Sequence, residues 1–155
     1  ASGITVGWRG NHTPEHLYRA LLEGIAYEQR LHTEGVEAAL GRKVEAYVAM
    51  GGGAQSARWC QIIADVTGRP LLRAVAPEAA ALGAGILAAF GSGSYADVRE
   101  AASMMTRLDS VCFIPDVDRH AHYDRLYTEV YRGLFPALQG RLDRLTKLAE
   151  LAVQA

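Results

Sequence analysis

The sequence predicts an α/β fold built on a parallel strand–helix–strand unit, and three observations predict it. The run from Val44 to Met50 is apolar almost without a break, which suits a strand buried on both faces. Trp59, Ile62, Ile63 and Val66 recur with helical spacing and are stopped by Gly68, and Pro70-Leu71-Leu72 opens a second short strand. Strand, helix and strand within about thirty residues form a parallel unit with a right-handed crossover.

The flanking elements follow in order. Thr13-Pro14-Glu15 starts a helix, since a Thr hydroxyl can cap free amides, proline tolerates the first helical position and Glu suits the positive end of the dipole. Leu17, Ala20, Leu21, Gly24, Tyr27 and Leu31 then recur every three or four residues, so this helix runs to about Leu40 and stops at Gly41. Beyond the central unit, Ala79 to Phe90 reads as a helix rich in small residues and buried all round. Gly91-Ser92-Gly93-Ser94 is a loop, Ala96 to Leu108 a helix, and Val111 to Ile114 a short extended piece before Pro115. A long helix starts near Asp118, with an interruption possible at Pro136 and Leu138, Leu142, Leu145 and Ala149 on one face.

Composition bounds the function. With 155 residues, 50% of them hydrophobic and 21% charged, the chain suits one globular domain with a real core. Lys plus Arg number 16 and Asp plus Glu 17, a net charge of -1, so no nucleic-acid partner is expected. The longest uncharged apolar run, Ala79 to Gly91, is shorter than the roughly 20 residues a bilayer requires, so no membrane span is expected. The first ten residues lack the basic region and apolar core of a signal peptide, and two cysteines, Cys60 and Cys112, make no disulfide framework. A cytoplasmic location is the expectation.

The sharpest motif is Val48-Ala-Met-Gly-Gly-Gly-Ala-Gln-Ser56, in which a strand enters three glycines and then a helix. Glycines let a flat or charged ligand approach the backbone, and the following helix offers free amides to anions. The same glycines would serve a plain strand-to-helix turn, where positive φ alone requires them. Neither of the two lysines, Lys43 and Lys147, follows a glycine, and neither G-x-G-x-x-G nor G-x-S-x-G occurs, so P-loop, dinucleotide and nucleophile-elbow enzymes are excluded.

Other constellations have two readings each. His12 and His16 could share a helix face as metal ligands, but the helix start between them favours a polar N-terminus. Asp116, Asp118, His120 and His122 alternate; as a strand they would gather a metal, and as a turn they would cap the last helix. Arg19 and Glu23 read as a surface i,i+4 ion pair, and Cys60, beside Trp59, as a packed thiol.

Four blocks then resemble one family. His16-Leu-Tyr-Arg-Ala-Leu-Leu-Glu-Gly-Ile-Ala-Tyr27, Gly51-Gly-Gly-Ala-Gln-Ser56, Gln61-Ile-Ile-Ala-Asp-Val-Thr-Gly-Arg-Pro70 and Glu78-Ala-Ala-Ala-Leu-Gly-Ala84 are similar, in order and spacing, to the C-terminal domain of the FGGY carbohydrate kinases. Pro115-Asp116 and the Tyr123, Tyr127, Tyr131 helix extend the likeness.

The resemblance implies a partial ribonuclease-H-like, actin-like ATPase domain with several flanking helices. It implies ATP-dependent phosphoryl transfer to a sugar hydroxyl, with Mg2+ as cofactor of the complete enzyme and ATP or ADP as ligand. Carried over, Gly52, Gly53 and Ala54 form the adenosine-binding turn, with Gly51 and Ser56 beside it. Ala57 stands where some members place an Asn in the adenine pocket, and Arg19, Glu23, Asp65, Glu78 and Gly83 match scaffold positions.

On the same grounds residues 1–155 are expected to form most of that C-terminal domain without its initial strands. The catalytic Asp, the sugar pocket and the first phosphate loop then belong to an N-terminal domain that the chain does not contain. The isolated chain is expected to be inactive, the other reading being a non-catalytic interaction or dimerisation module. In the family's sheet the Val44 to Met50 strand pairs on one side only within this chain, so an unpaired edge and a homodimer are expected.

Overall fold

A computed structural model describes residues 3–153, leaving residues 1–2 and 154–155 of the expected domain outside. Helix α1 (Pro14–Leu40) comes first. Its 27 residues span about 40 Å. Gly41 ends it at φ 65°, donating its amide to the Glu37 carbonyl.

Strand β1 (Tyr47–Ala49) is shorter than the apolar run suggests. The backbone of Val44 is held by side chains instead: its amide donates to Glu37 Oε1 at 2.7 Å, and Arg69 Nε donates to its carbonyl at 2.8 Å. Sheet pairing begins only at Tyr47, whose amide reaches the Pro70 carbonyl at 2.9 Å. The buried Glu37 carboxylate also meets Arg69 Nη2 at 2.6 Å and Lys43 Nζ at 3.1 Å. The Val44 amide, with Lys43 and Arg69, holds that carboxyl below its ordinary range.

Helix α2 (Ala57–Thr67) leads through Gly68 to strand β2 (Leu71–Ala74), which pairs in parallel with β1, so the predicted strand–helix–strand unit is present. Helices α3 (Ala79–Gly91) and α4 (Val98–Met105) follow. Asp97 Oδ1 takes the Glu100 amide and Glu100 Oε2 the Ala96 amide, a reciprocal cap that fixes where α4 starts. The helix ends at Met105 rather than Leu108, because Leu108 opens strand β3 (Leu108–Phe113). β3 runs antiparallel to β2, giving a mixed sheet of order β1-β2-β3.

The sheet is covered on one face only. Tyr47, Ala49, Leu71 and Phe113 pack with Cys60 and Ala64 of α2. The opposite face carries the cross-strand row Val48, Leu72, Cys112, and Val48 is 47% exposed. β1 is therefore not buried on both faces. Nor is α3 buried all round: it packs mainly on α4, only Ile86 is buried, and Leu87 is 60% and Phe90 42% exposed. Its apolar composition records surface that this chain does not cover.

The second core lies on the other side of α2, where Ile62 and Val66 meet Ala26 and Tyr27 of α1 and the tyrosines of the C-terminal helices. Helix α5 (Val117–Leu126) starts at Asp116, runs through a π-turn (Tyr127–Tyr131) and continues as α6 (Arg132–Val153). Pro136 sits inside α6 without ending it, and the expected irregularity falls one turn earlier, in the π-turn. That turn has a packing consequence. Along that turn Tyr127 and Tyr131 stack with ring planes 19° apart, and both rings pack against Tyr27.

The tyrosine hydroxyls tie this bundle to α1. Tyr123 donates to Glu23 at 2.6 Å, Tyr127 to Glu34 at 2.9 Å and Tyr131 to Glu28 at 2.6 Å. Arg19 Nη2 donates to the Tyr123 hydroxyl at 2.7 Å, so the Arg19–Glu23 pair is a junction between helices and not an isolated surface pair. Arg30 lies 4.1 Å over the Tyr127 ring and bonds Asp124.

Burial, reinforced by Glu34, pushes the Tyr127 phenol up to about 12, and Tyr27, Tyr123 and Tyr131 rise for the same first reason. The native state thus keeps protons that the unfolded chain has lost above its ordinary pKa of 10.0. Stability from this cluster is complete below pH 10.0 and is lost as pH rises toward about 12. Phenolate absorbance should rise together with loss of helical circular dichroism across that interval. Tyr127 titrating near pH 10 with the helices intact, followed by its own ring resonances apart from those of Tyr18, Tyr47 and Tyr95, would overturn the assignment.

Candidate functional site

The glycine turn stands at the carboxyl end of β1, the side of a parallel unit on which α/β sheets place ligands. Gly51 has φ 84° and ψ -174°, a region open essentially to glycine alone. A single 3-10 turn, Gly52–Gln55, follows, with the Ala54 amide on the Gly51 carbonyl at 3.1 Å and the Ser56 amide on the Gly53 carbonyl at 3.2 Å. Ser56 then caps α2, its Oγ accepting from the Trp59 amide at 3.3 Å. The amides of Ala57 and Arg58, first in the helix, have no intrahelical acceptor.

The five predicted residues are together, but they do different things. Gly52, Gly53 and Ser56 are exposed, Gly51 is half-buried, and Ala54 is buried, so Ala54 can offer a ligand only backbone. A Cβ added at Gly52 meets nothing within 4 Å, whereas one at Gly53 stands 3.4 Å from Trp59 Nε1. The open space over Gly52 is a cradle that a side chain would fill. Below the turn, the buried Cys60 thiol donates to the Ala54 carbonyl at 3.5 Å, and burial pushes it up, away from a reactive thiolate. The packed-thiol reading of Cys60 therefore agrees with its surroundings.

The remaining candidates resolve into scaffold. Asp65, 3% exposed, accepts from Gln61 at 2.8 Å, from the Asp116 amide at 2.9 Å and from Arg119 Nε at 2.7 Å, pinning α5 to α2. Asp116 caps α5 through the Arg119 amide, and His120 Nδ1 bonds the Asp65 carbonyl at 2.8 Å. His120 also packs on Gly68, where a Cβ would stand 2.4 Å from its ring. Asp118 and His122 are exposed on the helix, so the capping alternative describes this segment. His16 Nδ1 accepts the Thr13 amide at 3.1 Å, and His12 Nδ1 that of Arg9 at 3.1 Å. Among the described residues no three His, Cys, Asp or Glu gather as metal ligands. Glu78 precedes α3 without capping it through its side chain, and Gly83 faces open space.

Two residues beside the turn escape a motif search, Trp59 and the carbonyl-binding role of Cys60. Their signal is positional: they follow the capping serine by three and four residues, where a helix folds its side chains back over its own first turn. A groove of about 270 Å³ between Ile25, Gln29, Val48, Met50, Trp59 and Ile63 runs along the open edge of β1. A larger hollow of about 390 Å³, bordered by Glu34, Glu37, Arg42 and Lys43, lies at the far end of α1.

A parallel unit whose first strand runs into a glycine turn and a capped helix defines an α/β domain with exposed backbone at its first strand-to-helix turn. Comparison with known proteins narrows the class. The profile described as "FGGY family of carbohydrate kinases, C-terminal domain" matches residues 1–92, and the chain belongs to that family.

It is 31% identical over 133 residues to the xylulose kinase of Bacillus subtilis, covering 86% of this chain and 26% of that protein. It is 39% identical over 126 residues to the ribulokinase of Mycolicibacterium smegmatis, covering 81% and 22%. The crystal structure of xylulose kinase from Rhodospirillum rubrum superposes with a TM-score of 0.73 at 34% identity over 90% of this chain and 28% of that one. The chain thus spans about a quarter of the length of these relatives.

The backbone geometry makes a graded prediction. Gly51→Ala should destabilise the fold by about 1–3 kcal/mol, the cost of a side chain in a glycine-only region. Gly52→Ala should leave the thermal midpoint unchanged, since its Cβ meets open space. Thermal melts of the two variants check this ranking, and equal destabilisation would refute it.

Proposed function

We propose that this chain is the ATP-contacting part of an ATP-dependent carbohydrate kinase that transfers the γ-phosphate of ATP to a sugar hydroxyl. The observation that carries the proposal is the Gly51–Ser56 turn: exposed glycine backbone with room over Gly52, at the carboxyl end of a parallel strand and the start of a helix. Gly52 and Gly53 let the adenosine approach, Gly51 sets the bend, and the buried methyl of Ala54 anchors the turn from beneath.

In the reaction the sugar oxygen attacks the γ-phosphorus, the bond to the departing ADP oxygen breaks, and a base takes the hydroxyl proton. Mg2+, when bound with the nucleotide, neutralises phosphate charge. On the family reading, the base and the sugar pocket belong to the N-terminal domain of a complete enzyme. This chain's contribution is to bind and orient the nucleotide, and by itself it should not turn over sugar. Its sheet is read as part of a ribonuclease-H-like, actin-like ATPase domain.

ADP titrated into the 15N-labelled chain should shift the amides of residues 51–58, with affinity on the order of millimolar because half a cleft is present. Gly52→Val should abolish those shifts while the remaining spectrum stays folded. Shifts centred on His120 and His122, or unchanged in the variant, would show that the turn is not the site.

The unpaired edge favours a second property, self-association. β1 is the terminal strand of the sheet, and Val48 on it, Met50 just beyond it and Ile25 on α1 are exposed apolar side chains lining the groove. Such an edge is a template for another chain, and a two-fold dimer closes it most simply. Light scattering over a dilution series should show dimer at high micromolar concentration, and a monodisperse monomer there would exclude the dimer.

A further inference from the structure

We propose that Trp59 is a positioning residue for the nucleotide turn, its indole backing Gly53 and fixing the angle at which the glycines meet their ligand. The proposal rests on the reading of the Gly51–Ser56 turn as the nucleotide site. Three observations carry it. A Cβ placed on Gly53 would stand 3.4 Å from Nε1 and 3.5 Å from Cδ1 on the pyrrole edge of Trp59, and chain neighbours apart no other group among the described residues comes within 4 Å of it. The Trp59 backbone is fixed by the same turn, since its amide donates to Ser56 Oγ and the neighbouring Cys60 thiol donates to the Ala54 carbonyl. The half-buried ring packs against the cluster that contains Ala26, Tyr27 and Ile62 and walls the groove along β1.

The turn is one 3-10 revolution fastened by the Ala54 and Ser56 amides within it and by Cys60 and Trp59 at its helix end, while its outer half, Gly52 and Gly53, has no side chain of its own to hold it. The indole supplies the missing wall. A flat, rigid side chain suits this role, because it brings wide contact area with little rotational freedom to lose. The indole N–H makes no hydrogen bond among the described residues, and the ring stands where a side chain on Gly53 would otherwise meet open space. Packing and not the N–H therefore positions the turn, and phenylalanine should replace tryptophan where alanine cannot.

The test compares ADP binding to the whole 155-residue chain and three variants by 15N chemical-shift titration, with thermal melts run alongside. Trp59→Ala should weaken ADP by about tenfold or more, and Trp59→Phe should restore binding close to the parent. Ile63→Ala, which cuts the same core four residues further along without touching the turn, should lower the melting temperature but leave ADP affinity unchanged. In a Trp8→Phe background Trp59 is the sole tryptophan, and its emission should change with ADP at the midpoint seen by NMR.

If the parent binds ADP at residues 51–58 while Trp59→Ala binds equally well, or if Ile63→Ala weakens binding as much as Trp59→Ala does, the positioning role is overturned and the nucleotide reading stands. If the parent shows no ADP shift at the turn, the nucleotide reading itself fails, and the role proposed for Trp59 fails with it.

Discussion

Helix α2 has to bury two faces at once, and the rest of the structure is arranged around that constraint. Eleven residues place Cys60 and Ala64 on the sheet and Ile62 and Val66 on the tyrosine bundle, while Asp65 between them accepts three hydrogen bonds from its own helix, the loop before α5 and Arg119. A carboxylate so enclosed is tolerable only when its oxygens are satisfied, which makes the docking of α5 obligatory for α2 as well as the reverse. The glycine turn inherits its position from this arrangement, because it is the N-terminal continuation of the one element held on both sides.

The molecule is correspondingly uneven. On the tyrosine side, rings and carboxylates interlock, and Tyr27 is so enclosed that its hydroxyl is the one buried side-chain polar atom without a partner among the described residues. On the sheet side, one face and the outer edge of β1 are bare, and α3 exposes Leu87 and Phe90. Apolar surface of this kind is what a domain shows where it normally meets something else. It accords with a chain that spans about a quarter of its relatives.

Much of this was legible in the residues. Local chemistry announced itself: Thr13-Pro14 and Gly41 bound α1, Gly68 closes α2, and three glycines mark the turn, because caps and positive φ are decided within a few residues. Burial was less legible. The apolar runs of β1 and α3 promised enclosure that this chain does not provide, since periodicity records what an element is built to meet and not whether the partner is present. β3 was partly hidden because Leu108 follows a helix without punctuation, and its pairing with β2 depends on a connection through two helices. The tyrosine–glutamate bonds join residues about a hundred positions apart, as do Tyr123 and Glu23, and no spacing rule reaches that far.

The π-turn at Tyr127–Tyr131 stores one residue of length in the C-terminal third of the molecule in a way its composition does not reveal. A helix with this wider turn holds one more residue than an uninterrupted α-helix of the same run. Removing one residue there would let the turn close into regular α geometry while the segment beyond it keeps its facing, so that Leu142 stays buried. Removing one residue from the regular turns between Arg132 and Leu142 would instead rotate everything after it by about 100° and carry Leu142 toward solvent. Single-residue deletions should therefore be tolerated better in these five residues than in the turns of α6 that follow them.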